Sequence, residues 1–240
     1  MELEKFSEII NKKIKYLSIN INNIQINRLY IFMNLLIEWN KKYNLTAILE
    51  PEEIITKHFI DSLTICDLIK KNSNIIDVGT GAGFPGIPVK IINEQLDITL
   101  LDSLNKRINF LENVIDELKL QNTIAIHSRA EDLGKDNKYR EQFDYVTSRA
   151  VAPLNYLVEY MLPFVKIGGK CICMKGANIE DELKQSERAV LQLGGKISII
   201  KKIQLPETDF ERNIIIIEKI KSTPAKYPRK AGMPKKQPIM

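Results

Sequence analysis

The 240-residue sequence is poor in the side chains that run most acid-base, thiol and metal chemistry, with three cysteines, two histidines and one tryptophan. Cys66, Cys171 and Cys173 build no disulfide framework, which agrees with a reducing compartment. Cys171 and Cys173 stand two apart in an apolar run and share one strand face, a packing position. His58 and His127 keep no ligand spacing with them, so no metal is expected. No apolar run reaches the roughly 18 residues of a membrane span, and Met1-Glu2-Leu3-Glu4-Lys5 lacks a signal peptide's layout. A cytoplasmic protein with no membrane partner is the expectation.

Hydrophobic residues at 44% and charged residues at 27% give the balance of a globular chain, long enough for one sizeable domain and an accessory region. The net charge of +5 is unevenly placed. Lys219 to Met240 holds seven Lys or Arg and no acid, which leaves −2 for the first 218 residues. Such a segment suits a polyanion, RNA rather than membrane because no amphipathic helix accompanies it, although a solvated tail would look the same.

The most informative stretch is Ile75-Ile76-Asp77-Val78-Gly79-Thr80-Gly81-Ala82-Gly83-Phe84-Pro85-Gly86. A short apolar run suited to a buried parallel strand breaks into glycines on alternate positions, after which apolar residues resume at helical spacing. Glycines are wanted where backbone at positive φ approaches a ligand closely. Gly81-x-Gly83-x-x-Gly86 satisfies the dinucleotide fingerprint, and Gly79-x-Gly81-x-Gly83 fits the nucleoside turn of S-adenosylmethionine (SAM) methyltransferases. In the dinucleotide fold the first glycine directly follows the strand, whereas Gly81 comes two residues after Gly79.

The rest of the chain separates the two. Apolar residues recur at three and four from Leu3 to Leu17 and from Leu29 to Ile37, ending near Trp39, and Glu50-Pro51-Glu52-Glu53 opens a further helix. Residues 1–72 therefore read as a helical N-terminal cap. From Asn74 strands and helices alternate, the pattern of a parallel sheet: strands at Ile75–Val78, Ile98–Leu101, Thr123–His127, Tyr145–Thr147 and Lys170–Met174. Ile197–Ile203 and Ile214–Ile217 are joined by a link too short for a crossover helix and must pair antiparallel. An α/β fold whose parallel sheet ends in an antiparallel hairpin resembles the class I, Rossmann-like SAM-dependent methyltransferase. The domain would span 73–221, followed by a basic tail, 222–240.

In open α/β sheets ligands sit at the carboxyl ends of the strands. Asp102 ends strand two about twenty residues past the glycine turn, placed either to accept from ribose hydroxyls or to cap the next helix. Ala130-Glu131 follows strand three in a loop. Arg149 ends strand four and Lys175 strand five, two cations on adjacent strand ends that favour an anionic substrate. There is no Asn-Pro-Pro-Tyr-type run for methylating an exocyclic amine and no Pro-Cys nucleophile for a pyrimidine carbon. An aromatic nitrogen with its own lone pair, such as guanine N7, needs neither, and no acid/base pair or other catalytic side chain is expected.

Ordered segments along nearly the whole chain carry a resemblance. They are Trp39 with Lys42-Tyr43-Asn44-Leu45-Thr46-Ala47, His58-Phe59-Ile60-Asp61-Ser62-Leu63, the glycine stretch, Leu100-Leu101-Asp102-Ser103 with Lys106-Arg107, Arg129-Ala130-Glu131, Thr147-Ser148-Arg149-Ala150-Val151, Lys175-Gly176, and Tyr227-Pro228-Arg229-Lys230-Ala231-Gly232-Met233-Pro234. Together they resemble the RsmG (GidB) family, bacterial 16S rRNA guanine-N7 methyltransferases. The resemblance implies SAM as donor and guanine 527, in the 530 loop of 16S rRNA, as target. The small ribosomal subunit or its assembly intermediate would be the partner of a monomeric enzyme. It implies cofactor contacts by Gly79, Phe84, Ala130, Glu131 and Arg149, with Asp102 facing the ribose; the turn reading adds Gly81 and Gly83. Candidate RNA contacts are Lys106, Arg107, Arg149, Lys175, Arg229, Lys230, Lys235 and Lys236. A methyltransferase of another RNA or a small molecule, and a non-catalytic ribosome assembly factor, are the alternatives.

Overall fold

The computed structural model describes residues 1–239. One seven-stranded sheet organises them: β1 (Asn74–Val78), β2 (Asp97–Asp102), β3 (Thr123–His127), β4 (Phe143–Arg149), β5 (Val165–Lys175), β6 (Gly195–Gln204) and β7 (Glu211–Lys219). Their order is β3-β2-β1-β4-β5-β7-β6. β1 to β5 are parallel, and β7 runs antiparallel to both β5 and β6, so the expected final hairpin is present. Ile214-Ile215-Ile216-Ile217 is buried throughout, as suits an inner strand covered on both faces. β6 is the mostly exposed edge, and Lys196, Lys201 and Lys202 discourage a further strand from adding there.

Side chains alternate between the two faces. On one, Ile75, Ile98, Leu100, Ile172 and Ile214 pack beneath the N-terminal helices; on the other, Ile76, Leu101, Val146, Cys171, Cys173 and Ile215 pack beneath α8 (Leu154–Met161) and α9 (Glu180–Gln192). The first face is covered by α1 (Leu3–Ile14), α2 (Asn23–Tyr43), a stretch comprising α3 (Pro51–Glu53), a π-helical segment Ile54–Ile60 and α4 (Asp61–Leu63), and then α5 (Gly86–Ile92) and α6 (Asn105–Glu117). Phe32 of α2 meets Phe59, Phe84 and Phe110 at ring separations of 5.6, 5.3 and 6.3 Å. The expected cap is thus a layer of the main core.

Three local expectations change. α2 runs past Trp39 to Tyr43, where Asn44 in the left-handed region (φ 49°) ends it and Lys41 and Lys42 meet the negative end of its dipole. Ala130–Leu133 forms one helical turn, α7, rather than a loop. The basic tail is packed down: Tyr227 and Ile239 are buried, Arg140 donates to the Thr223 and Tyr227 carbonyls, and a last turn, α10, spans Met233–Lys236.

Candidate active site

The glycine turn is held from below. Asp77 is fully buried at the end of β1; its Oδ2 accepts from Thr80 Oγ1 (2.7 Å) and the Gly86 N–H (2.9 Å), and its Oδ1 from Thr147 Oγ1 (3.1 Å). Burial pushes its carboxyl up to about 6, against the pull of those three donors. Gly79, Gly81 and Gly83 all have positive φ (70°, 62° and 91°), but for different surroundings. A Cβ on Gly79 would meet Val151 at 2.6 Å, and one on Gly83 would meet Ile87 at 2.6 Å and Leu111 at 3.0 Å. On Gly81 it would meet nothing within 4 Å, because that position opens into a cavity.

This cavity, about 390 Å³, lies over the ends of β1 and β2 and is lined by Gly79, Gly81, Phe84, Asp102, Arg107 and Arg149 among others. Asp102 is buried there; Oδ2 accepts from the Gly81 N–H (2.9 Å) and Arg107 Nη1 (3.0 Å), and Oδ1 from the Leu104 N–H (3.0 Å). The carboxylate steadies the start of α6 through Leu104 and borders the cavity. Arg107 Nε is buried without a hydrogen-bond partner among the described residues. Gly83, Ala130 and Glu131 lie outside the lining. Glu131 is buried and turned toward the tail, accepting from the Gly232 N–H at 2.9 Å.

A second cavity, about 610 Å³, lies over the ends of β4 and β5. Arg149, His58, Ala150 and Val151 border both cavities. Arg149 donates through Nη1 to the Lys57 carbonyl and Asp61 Oδ2 (both 3.0 Å) and through Nη2 to His58 Nδ1 (3.0 Å), with its guanidinium 5.0 Å from the Phe84 ring centre. Because arginine only donates, Nδ1 is the acceptor and Nε2–H donates to Thr46 Oγ1 (2.9 Å). His58 also stacks on Phe84 (4.4 Å, 12°). Burial, and then the arginine charge, push its pKa down to about 3, so it is neutral with both nitrogens engaged. Asp61 completes the partition, its Oδ1 accepting from Arg212 Nε of β7 at 3.0 Å.

The cations proposed for RNA divide into two groups. Lys106 is exposed, with Nζ on the Tyr43 carbonyl; Arg107 pairs with Asp102; Lys175 pairs with Glu182; and Arg229 grips the buried Glu159 through both carboxylate oxygens. Lys230, Lys235 and Lys236 are exposed and carry no ion pair among the described residues. Asp61, Glu182 and Arg212 were not singled out from sequence, and only Asp61, inside the His58 to Leu63 segment that carries part of the family resemblance, had a local signal.

A family model described as rRNA small subunit methyltransferase G matches residues 25–215. The chain is similar to the ribosomal RNA small subunit methyltransferase G of Alkaliphilus metalliredigens, 51% identical over 225 residues that cover 93% of this chain and 94% of that one. It is likewise similar to the protein of that name from Alkaliphilus oremlandii, 50% identical with both chains fully covered. Among solved structures, that of M. jannaschii TYW2 in complex with AdoMet superposes with a TM-score of 0.54 at 15% identity over 67% of this chain and 75% of that one, a likeness of fold. With half its residues shared by full-length relatives, and the family model spanning both cavities, the chain belongs to the rRNA small subunit methyltransferase G family.

Proposed function

We propose that the protein transfers the methyl group of SAM to N7 of guanine 527, in the 530 loop of 16S rRNA, as a cytoplasmic monomer acting on the small ribosomal subunit or its assembly intermediate. The observation that carries this reading is the pair of cavities meeting at Arg149, Ala150 and Val151. The first fits SAM: Gly81 leaves open space, Asp102 keeps lone pairs beside its three bonds for ribose hydroxyls, and Phe84 and Leu45 supply apolar wall. The second lies over the next strands and has room for a base turned out of its stack.

Bound SAM supplies an electrophilic methyl on a cationic sulfur. The N7 lone pair forms the new N–C bond as the C–S bond breaks and sulfur keeps that pair, so the positive charge passes to the purine. No proton leaves N7, and His58, held neutral with both nitrogens engaged, is suited to fixing Arg149 rather than to acting as a base. The residues contribute by alignment and by keeping water out. Incubation with labelled SAM and small-subunit particles lacking the modification, followed by cleavage chemistry specific for N7-methylguanine, should place the label at that nucleotide. Label on an exocyclic nitrogen, a carbon or a ribose refutes the reading.

A further inference from the structure

The second cavity ends, on the β5 side, in an ion pair that alignment of N7 does not use. Lys175 Nζ lies 2.6 Å from Glu182 Oε2 and donates to the Ala152 carbonyl at 2.6 Å, while the same Oε2 accepts from the Leu154 N–H at 2.9 Å. Glu182 Oε1 accepts no hydrogen bond among the described residues, and the side chain keeps about a third of its surface open (32%). The cavity's apolar wall is made by Ile48, Val151, Pro153 and Met174, with Lys57 and Arg212 also bordering it. A slot with apolar sides and an ammonium beside a carboxylate at its end suits the edge of a flat heterocycle.

We infer that Lys175 and Glu182 read the Watson–Crick edge of the target guanine, an inference that rests on the N7-guanine reading above. Guanine presents O6, N1–H and N2–H2 in a row, one acceptor followed by two donors. Lys175 matches the acceptor, and Glu182 the donors. Adenine presents an amino group where O6 would be and an unprotonated N1 where N1–H would be, so it would leave both protein charges badly paired. The other carboxylate lining the cavity, Asp61, is committed to Arg149 and Arg212.

Orientation follows from strand order. Lys175 ends β5 and Arg149 ends β4, one strand nearer the first cavity. N7 belongs to the five-membered ring and shares with O6 the edge next to the Watson–Crick one, so a purine anchored at β5 by O6, N1 and N2 extends its five-membered ring, with N7, toward β4 and the shared wall. As positive charge develops on the ring, its N1–H and N2–H become stronger donors. Glu182 then holds the transition state more tightly than the ground state and acts on turnover as well as on binding.

The test compares a 16S rRNA fragment carrying guanine at the target with one carrying inosine, which lacks only the N2 amino group. Wild-type enzyme should methylate the inosine fragment roughly tenfold less efficiently in kcat/KM, the worth of a hydrogen bond to a charged group. Glu182→Gln should lower kcat on guanine roughly 10- to 100-fold, shrink the guanine-to-inosine ratio toward one, and leave the SAM Kd within about twofold. That ratio is internal to each preparation, so a loss of folded protein does not imitate it. A guanine-to-inosine ratio unchanged in Glu182→Gln would overturn the inference while leaving the methyltransferase reading intact. Wild-type enzyme that marks neither fragment at N7 would overturn the reading itself.

Discussion

Replacing Gly81 with valine tests where the cofactor lies. The position has φ +62°, which an L-residue occupies at a cost of roughly 1–2 kcal/mol. An added Cβ meets no protein atom within 4 Å, so that strain is the main stability term, and Tm should fall by about 2–8 °C for a chain of this size. The branched carbons would fill space assigned to SAM. Overpacking of a close-fitting site costs roughly 1–3 kcal/mol, and the dissociation constant by titration calorimetry should rise by about 5- to 150-fold. Gly86→Ala is the converse control. Its Cβ would stand 2.4 Å from Leu100 Cδ2 and 3.0 Å from Asp77 Oδ2, inside packed protein and away from the cavity. It should lose about 1–3 kcal/mol of stability yet, in its folded fraction, bind SAM nearly as well as wild type. Tight SAM binding by folded Gly81→Val would refute the placement.

Removing the side chain of Arg229 leaves Glu159 as a buried, unpaired charge and should cost about 3–5 kcal/mol in chemical denaturation; the apolar pair Arg229→Met with Glu159→Leu should recover much of it. Alanine at Lys230, Lys235 and Lys236 together should flatten the dependence of log K for RNA on log salt by about two, with SAM affinity unchanged. His58 has a pKa near 3 when folded against an ordinary 6.5, so the stability it confers is present above pH 6.5 and is lost as pH falls, by about 1.4 kcal/mol per pH unit. Asp77, raised to about 6, works in the opposite sense below that pH, so the difference between wild type and His58→Gln is the proper measurement. That difference should shrink between pH 6.5 and 5; a constant difference would refute a neutral His58.

The sheet was legible because each inner strand is a compact apolar run and several strand ends are marked by glycine or charge, as at Val78-Gly79 and Lys175-Gly176. The final hairpin was legible from the shortness of its link. Pairings across long stretches of chain were not. Glu159 and Arg229 are 70 positions apart, and Asp61 and Arg212 are 151 apart, so no local spacing joins them. For the same reason Arg229 reads as a free cation although it is bound to a carboxylate, whereas Lys175 meets Glu182 only seven positions on, across the turn from β5 into α9. The π-helical segment Ile54–Ile60, which carries the His58 that stacks on Phe84, also escaped notice, because its apolar residues fit an ordinary helix.

The place of β7 in the sheet bears on how the molecule comes into being. The last of the seven strands in chain order is not the outermost: it slots between β5 and β6, both made before it. Until Glu211–Lys219 emerges, β5 has an open flank and β6 no neighbour. Arg212, which ties Asp61 into the partition between the two cavities, arrives on that same strand. Maturation of the sheet and of the site therefore coincide with the arrival of β7, and a chain still without it exposes a sticky flank before it has anything to catalyse.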